Sequence, residues 1–230
     1  MLARDSEANL PSESIAEREQ VMRKNIWSYG GVVASLILIV FGTVAIVLAT
    51  SGHSEVRKDI KREQIVGTPD MTPKAISVEA QKAGLKNVDL PSCSVANQKI
   101  ETGSQAKCFA SYMRIHALEA TGGQTYSQMP RYASADGKGT NVPAQALNNP
   151  KTGQPLDNPA RNVMINYTAL STALNTSYFA EQVSLFSLVM GIALLLTGIG
   201  FLVVAVRMLR PAEKTEKAPV PTGHAVPTAS

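Results

Sequence analysis

Two stretches of this sequence carry no charge, and they limit what the rest can fold into. Residues 30–50 read GGVVASLILIVFGTVAIVLAT, 21 residues, and residues 183–206 read VSLFSLVMGIALLLTGIGFLVVAV, 24 residues. A helix rises 1.5 Å per residue, so about 20 apolar residues cross a hydrocarbon core of roughly 30 Å. Each run is long enough to span, and too long and uniform for the buried core helix of a soluble domain. The first run also exceeds the usual apolar segment of a secretory signal, and the largely polar residues 1–27 lie ahead of it. Val47-Leu48-Ala49 has cleavage-like small residues, yet the run reads as an uncleaved anchor. Trp27 and Tyr29 stand where interfacial aromatics are found.

The mean hydropathy of the 230 residues is zero. That average is a cancellation between the 45 residues of two intensely apolar runs and the other 185, which are polar on average (21 + 24, and 230 − 45). Charged residues are 17% of the chain, below the roughly 25% usual for soluble domains.

Two spans place both termini on one side. Arg23 and Lys24 precede the first, and Arg207, Arg210, Lys214 and Lys217 follow the second, which favours a cytoplasmic location for both ends. Arg57, Lys58, Lys61 and Arg62 lie in the intervening loop, and long loops translocate largely regardless of charge. The net charge is only +4 and no segment is strongly basic, so nucleic acid is not an expected partner. Cys93 and Cys108 both fall in the loop. An exocytoplasmic loop is in an oxidising place, where the pair is expected to close as a disulfide.

The resulting organisation is a tail with a short helix over 1–27, a transmembrane helix over 28–50, and an exocytoplasmic domain over 51–182. A second transmembrane helix over 183–206 and a disordered tail over 207–230 complete it. The fold class is mainly α, with a loop-rich outer domain and helices that extend beyond the membrane. Ser14-Ile15-Ala16-Glu17 fits a capping box, so the first helix is expected to start near Ile15. After the span, SEVRKDIKREQIV continues as a helical stalk that Gly67, Pro69 and Pro73 end. Further helices are expected over 74–85, stopped at Gly84, and over 104–120, stopped at Gly122 and Gly123. The apolar face of the latter is read as Phe109, Tyr112, Met113, His116 and Ala120. Residues 130–159 show no helical or strand period and read as a mobile or loosely packed connection. Pro159 suits the first turn of a long helix over 160–209, with Val163, Tyr167, Leu170, Leu174 and Tyr178 as its inner stripe.

Small residues align within the spans. Gly31, Ser35, Gly42, Ala45 and Ala49 share one sector of the first; Ser184, Ser187, Gly191, Gly198 and Ala205 share one of the second. Such seams let helix backbones approach in lipid. One reading packs the two spans together, and the other turns a seam towards another subunit.

Chemistry-bearing residues are few. Of three histidines, His53 lies at the membrane boundary and His224 in the tail, so His116 alone belongs to an expected folded element. It faces Glu119 or Tyr112 at helical spacing. One histidine, two paired cysteines and scattered carboxylates predict no metal and no cofactor. The spans carry no ionisable residue, which argues against an ion pathway. The sequence has no P-loop, no G-x-G-x-x-G and no G-x-S-x-G. Asn166-Tyr167-Thr168 and Asn175-Thr176-Ser177 match the glycosylation sequon.

The motifs Arg62-Glu63-Gln64-Ile65, Tyr112-x-x-Ile115-His116 and Gly122-Gly123-Gln124-Thr125-Tyr126 precede a Thr/Leu/Ala-rich helix that feeds the second span. In this the chain resembles a family of small two-span membrane proteins of unknown function common in actinomycetes. The similarity covers roughly residues 55–206. It implies the same architecture and lends no activity or site.

The expected function is non-catalytic: a protein of the cell membrane whose outer helical domain binds another membrane or envelope protein, as an accessory subunit would. The alternative is an outer ligand-binding or sensing domain with a pocket at Tyr112, His116 and Tyr126. A more remote one is a membrane-anchored hydrolase using His116.

Overall fold

The computed structural model describes residues 12–209. Residues 1–11 and 210–230, with most of the expected C-terminal tail, lie outside the described residues. Four α-helices, α1 to α4, account for most of the described chain: Ser12–Arg62, Pro73–Lys82, Gly103–Ala120 and Pro159–Leu209. A single 3₁₀ turn lies at Pro143–Gln145, and pairing elsewhere is limited to isolated bridges, with no strand among the described residues.

Helices α1 and α4 each run 51 residues and contain segments long and apolar enough to cross a membrane. The chain divides into two compact units: one of residues up to 41 and from 193 onward, the other of residues 42–192. In the first unit α1 and α4 run antiparallel in backbone contact. Their outward faces are apolar, with Phe41 65% and Leu196 62% exposed.

The second unit builds its core on α3. Tyr112, Ile115 and Ala106 are fully buried, and Ile76 of α2, Met71, Val95 and Ile100 pack into the same cluster. A fully buried large apolar side chain contributes about 1.5–3 kcal/mol. A smaller cluster joins Ala117 and Leu118 to Met129 and to Met164 of α4. Cys93 and Cys108 stand at bonding distance, 2.02 Å between sulfurs and 6.1 Å between Cα atoms. The bridge ties the loop before α3 to α3 itself. Closing a 15-residue separation restricts the unfolded chain by about 3 kcal/mol in the loop-entropy account.

Local chemistry explains the helix ends. The hydroxyl of Thr72 accepts from the Ala75 N–H at 3.2 Å, ahead of Pro73 at the first position of α2. At its other end Gly84 has φ +67°, and the Leu85 N–H reaches back to the Ala80 carbonyl at 2.9 Å. Thr102 accepts from the Gln105 N–H at the start of α3, and Asn158 Oδ1 accepts from the Ala160 N–H at the start of α4. The stalk ends at Arg62, earlier than Gly67, because Gln64 turns into the left-handed region at φ +50°. Ser14 lies inside α1 and is not its cap.

Two expectations need correction. The buried set of α3 is broader than one stripe: Ala106, Cys108, Phe109, Ala110, Tyr112, Ile115, Ala117 and Leu118 are buried, while Ala120 is exposed. The helix feeds both core clusters and so is enclosed on more than one side. The segment 130–159 is not a loose connection. The N–H groups of Ala133, Leu147 and Leu156 donate to the carbonyls of Leu156, Ala133 and Leu147 at 2.7–2.9 Å. Tyr132 bridges both Thr140 and Asp157. These bonds satisfy the backbone without a side-chain period, which is why no pattern betrayed them.

Candidate functional site

His116 stands on the exposed margin of α3, and two carboxylates from earlier in the chain converge on its ring. Nδ1 lies 2.7 Å from Glu79 Oε1, and Nε2 lies 3.4 Å from Asp70 Oδ2. Glu79 is on α2, and Asp70 is in the turn just before it. The three potential ligand atoms lie within 4.8 Å of one another, each on a half-buried side chain. The turn is fixed from both sides: the Met71 N–H donates to Thr68 O at 3.1 Å, and the Met71 carbonyl accepts from the Val95 N–H at 3.2 Å.

Glu119, one turn beyond His116, joins the rim. Its carboxyl is raised above the ordinary value, first by a hydrogen bond with Glu79, then by desolvation and the Glu79 charge, with His116 opposing. Three carboxylates thus surround one imidazole. Among the described residues no lysine or arginine pairs with any of them. Asp70 and Glu79 were not anticipated as partners of His116. Separations of 46 (116 − 70) and 37 residues leave no local signal.

Tyr112, His116 and Tyr126 do not share a pocket surface. Tyr112 is fully buried and its hydroxyl donates to the Cys93 carbonyl at 2.6 Å; burial raises its phenol and keeps it protonated. Tyr126 lies elsewhere, under the Arg161 guanidinium at 4.0 Å from the ring centroid, on an open groove with Arg114, Leu118 and Met164. A wider groove of about 540 Å³ runs beside α4, lined by Arg114, Tyr167, Ser171, Asn175 and Phe179.

The small residues of the long helices are placed as follows. In the first unit, a Cβ added at Gly31 would meet the Ala205 Cβ at 3.3 Å, and one at Gly198 would meet the Ser35 carbonyl at 2.9 Å. Ser35 and Ala205 are buried. In the second unit, a Cβ at Gly191 would meet the Gly42 carbonyl at 2.9 Å and the Ile46 N at 3.0 Å. Ala49 and Gly42 are buried, and Ala45, Ser184 and Ser187 are half-buried. Gly52, not read as part of the seam, approaches the Ser184 hydroxyl at 3.3 Å from its Cβ position.

Backbone lies where each Cβ would go, so leucine at Gly191 and Gly198 must push the helices apart. Together the substitutions are expected to cost several kcal/mol, about 2 kcal/mol each, and to lower helix-to-helix crosslinking several-fold in native membranes. An unchanged crosslinking yield would contradict this.

No protein family, curated protein or solved structure matches the chain.

Proposed function

We propose that the chain is a two-span protein of the cell membrane whose exocytoplasmic module, residues 51–182, binds another membrane or envelope protein without catalysis. Both termini are then cytoplasmic, as the flanking lysines and arginines favour. The observation that carries the membrane reading is the outward face of α1 and α4. Leu48 and Phe186 are each 66% exposed, in runs free of charge, which water would not tolerate over such an area and lipid would. The disulfide supports an oxidising location for the module. The resemblance to small two-span actinomycete proteins agrees with this reading.

Binding is supported by α4 just ahead of its uncharged run. Phe179 is 67% exposed on the rim of the 540 Å³ groove, beside hydroxyl and amide side chains. An aromatic anchor with a polar surround is the usual composition of an interface centre.

Crosslinking the full chain in native membranes, followed by purification in mild detergent, is expected to yield one stoichiometric protein partner. Phe179→Ser is expected to reduce that yield about tenfold without changing Tm. A chain that always migrates alone, or a yield unaffected by Phe179→Ser, overturns the assignment.

A further inference from the structure

We propose that Asp70, Glu79 and His116 form a binding site for a divalent transition-metal ion of the Zn²⁺ type, joining the start of α2 to α3. The geometry of the imidazole carries the inference. Its Nδ1 is 2.7 Å from Glu79 Oε1, within hydrogen-bond reach, and its Nε2 is 3.4 Å from Asp70 Oδ2. Two carboxylates thus converge on one imidazole, with one ligand atom from each of the three residues within 4.8 Å of the others, close enough for a single cation to be shared. Tetrahedral zinc, with bonds of about 2.0–2.1 Å to nitrogen and oxygen, holds its ligand atoms roughly 3.3 Å apart, close to the 3.4 Å between Nε2 and Asp70 Oδ2. A carboxylate on the other ring nitrogen is the support that metal-bound histidines usually have, and Glu79 supplies it.

The charges argue the same way. Asp70 and Glu79 are brought together with Glu119, yet no described lysine or arginine balances them. A doubly charged cation relieves that repulsion. The imidazole selects among cations: Mg²⁺ and Ca²⁺ prefer oxygen alone, whereas Zn²⁺ and its neighbours accept nitrogen with carboxylate. All three side chains are partly accessible, so an ion can enter from solvent. The ion would act as a staple between segments 37 and 46 residues apart in sequence (116 − 79 and 116 − 70).

The test uses the full chain, free of any histidine tag, in mild detergent after chelator treatment at pH 7. Titration with ZnCl₂ is expected to show one saturable site per chain. At about 100 times Kd, Tm is expected to rise by roughly 5–10 °C. His116→Ala and Asp70→Asn are each expected to weaken binding at least tenfold, and Glu79→Gln about 10–100-fold. Asp70→Asn keeps the shape of a partly exposed side chain, so its effect is readable even if His116→Ala folds poorly. His53→Ala is expected to bind as the parent chain does. Bound Co²⁺ should show the intense visible absorption of a low-coordinate site. The proposal is overturned if Zn²⁺ does not saturate. Unchanged affinity in Asp70→Asn, or Mg²⁺ and Ca²⁺ binding as tightly as Zn²⁺, overturns it equally.

Discussion

Gly67→Ala is expected to destabilise the second unit by about 3 kcal/mol or more, one of the two largest effects expected of any single substitution in this chain. The cause is a close backbone approach. A Cβ at Gly67 would lie 1.9 Å from the Val95 carbonyl oxygen and 2.8 Å from its carbon. Neither strand of chain can give way easily. The Gly67 N–H donates to the Gln98 carbonyl at 2.9 Å, and the Asn97 N–H donates to the Gly67 carbonyl at 2.9 Å. Two residues from Cys93, Val95 is itself fully buried in the core. The methyl must therefore break this pairing or displace the core, and Met71 and Asp70 move with it. For a chain of this size the loss corresponds to a Tm decrease of about 6–12 °C. Scanning fluorimetry of the full chain in detergent reads it directly. Gly84→Ala is the control, because Gly84 has φ +67° with nothing within 4 Å of its Cβ position. It should cost only the left-handed penalty, about 1–2 kcal/mol. Equal losses at both positions would refute the close approach as the cause.

The helices were legible in the sequence because their limits are set by local chemistry. Pro73, Gly84, Gly122 and Pro159 punctuate them, and the expected ranges 104–120 and 160–209 differ from α3 and α4 by one residue at the start. The two uncharged runs were legible for the same reason, since length and composition are local properties. The site around His116 was not. Its helix was within reach, although His116 was read on the apolar face and stands at its margin, and Asp70 and Glu79 arrive through the packing of α2 against α3, which no period encodes. The same holds for Gly67. A glycine beside two prolines reads as a turn, and only the approach of Val95 shows why no side chain fits. Residues 130–159 failed differently. Their order lies in backbone hydrogen bonds among residues of no common pattern, and a reading based on periodicity has no access to those.

The second large effect is expected at Glu181, a carboxylate two residues ahead of the uncharged run of α4. Only 6% of its side chain is exposed, and a buried charge persists only where it is paired. Arg57 of α1 donates Nε–H to Oε1 at 2.9 Å, and the Gly103 N–H at the start of α3 donates to Oε2 at 2.8 Å. His53 Nδ1 stands 3.8 Å from Oε1. One carboxylate thereby links three helices within the second unit. It also satisfies one of the first backbone N–H groups of α3, which has no partner within its own helix. Glu181→Ala leaves that N–H buried and unpaired and opens a void, and is expected to cost about 3 kcal/mol. Glu181→Gln keeps the volume and an acceptor oxygen, and should cost about half as much. Arg57→Ala removes the cation but not the buried charge. Because the arginine side chain is 45% exposed, water replaces part of its contact, and the expected loss is about 1–2 kcal/mol. The double variant Arg57→Ala/Glu181→Ala separates the pair from its surroundings. Thermal unfolding of the four proteins should give a coupling of about 1 kcal/mol between the two positions. Purely additive losses would mean that Glu181 acts through Gly103 alone, and a change below about 0.5 kcal/mol in Glu181→Ala would remove the carboxylate from the account of what joins these helices.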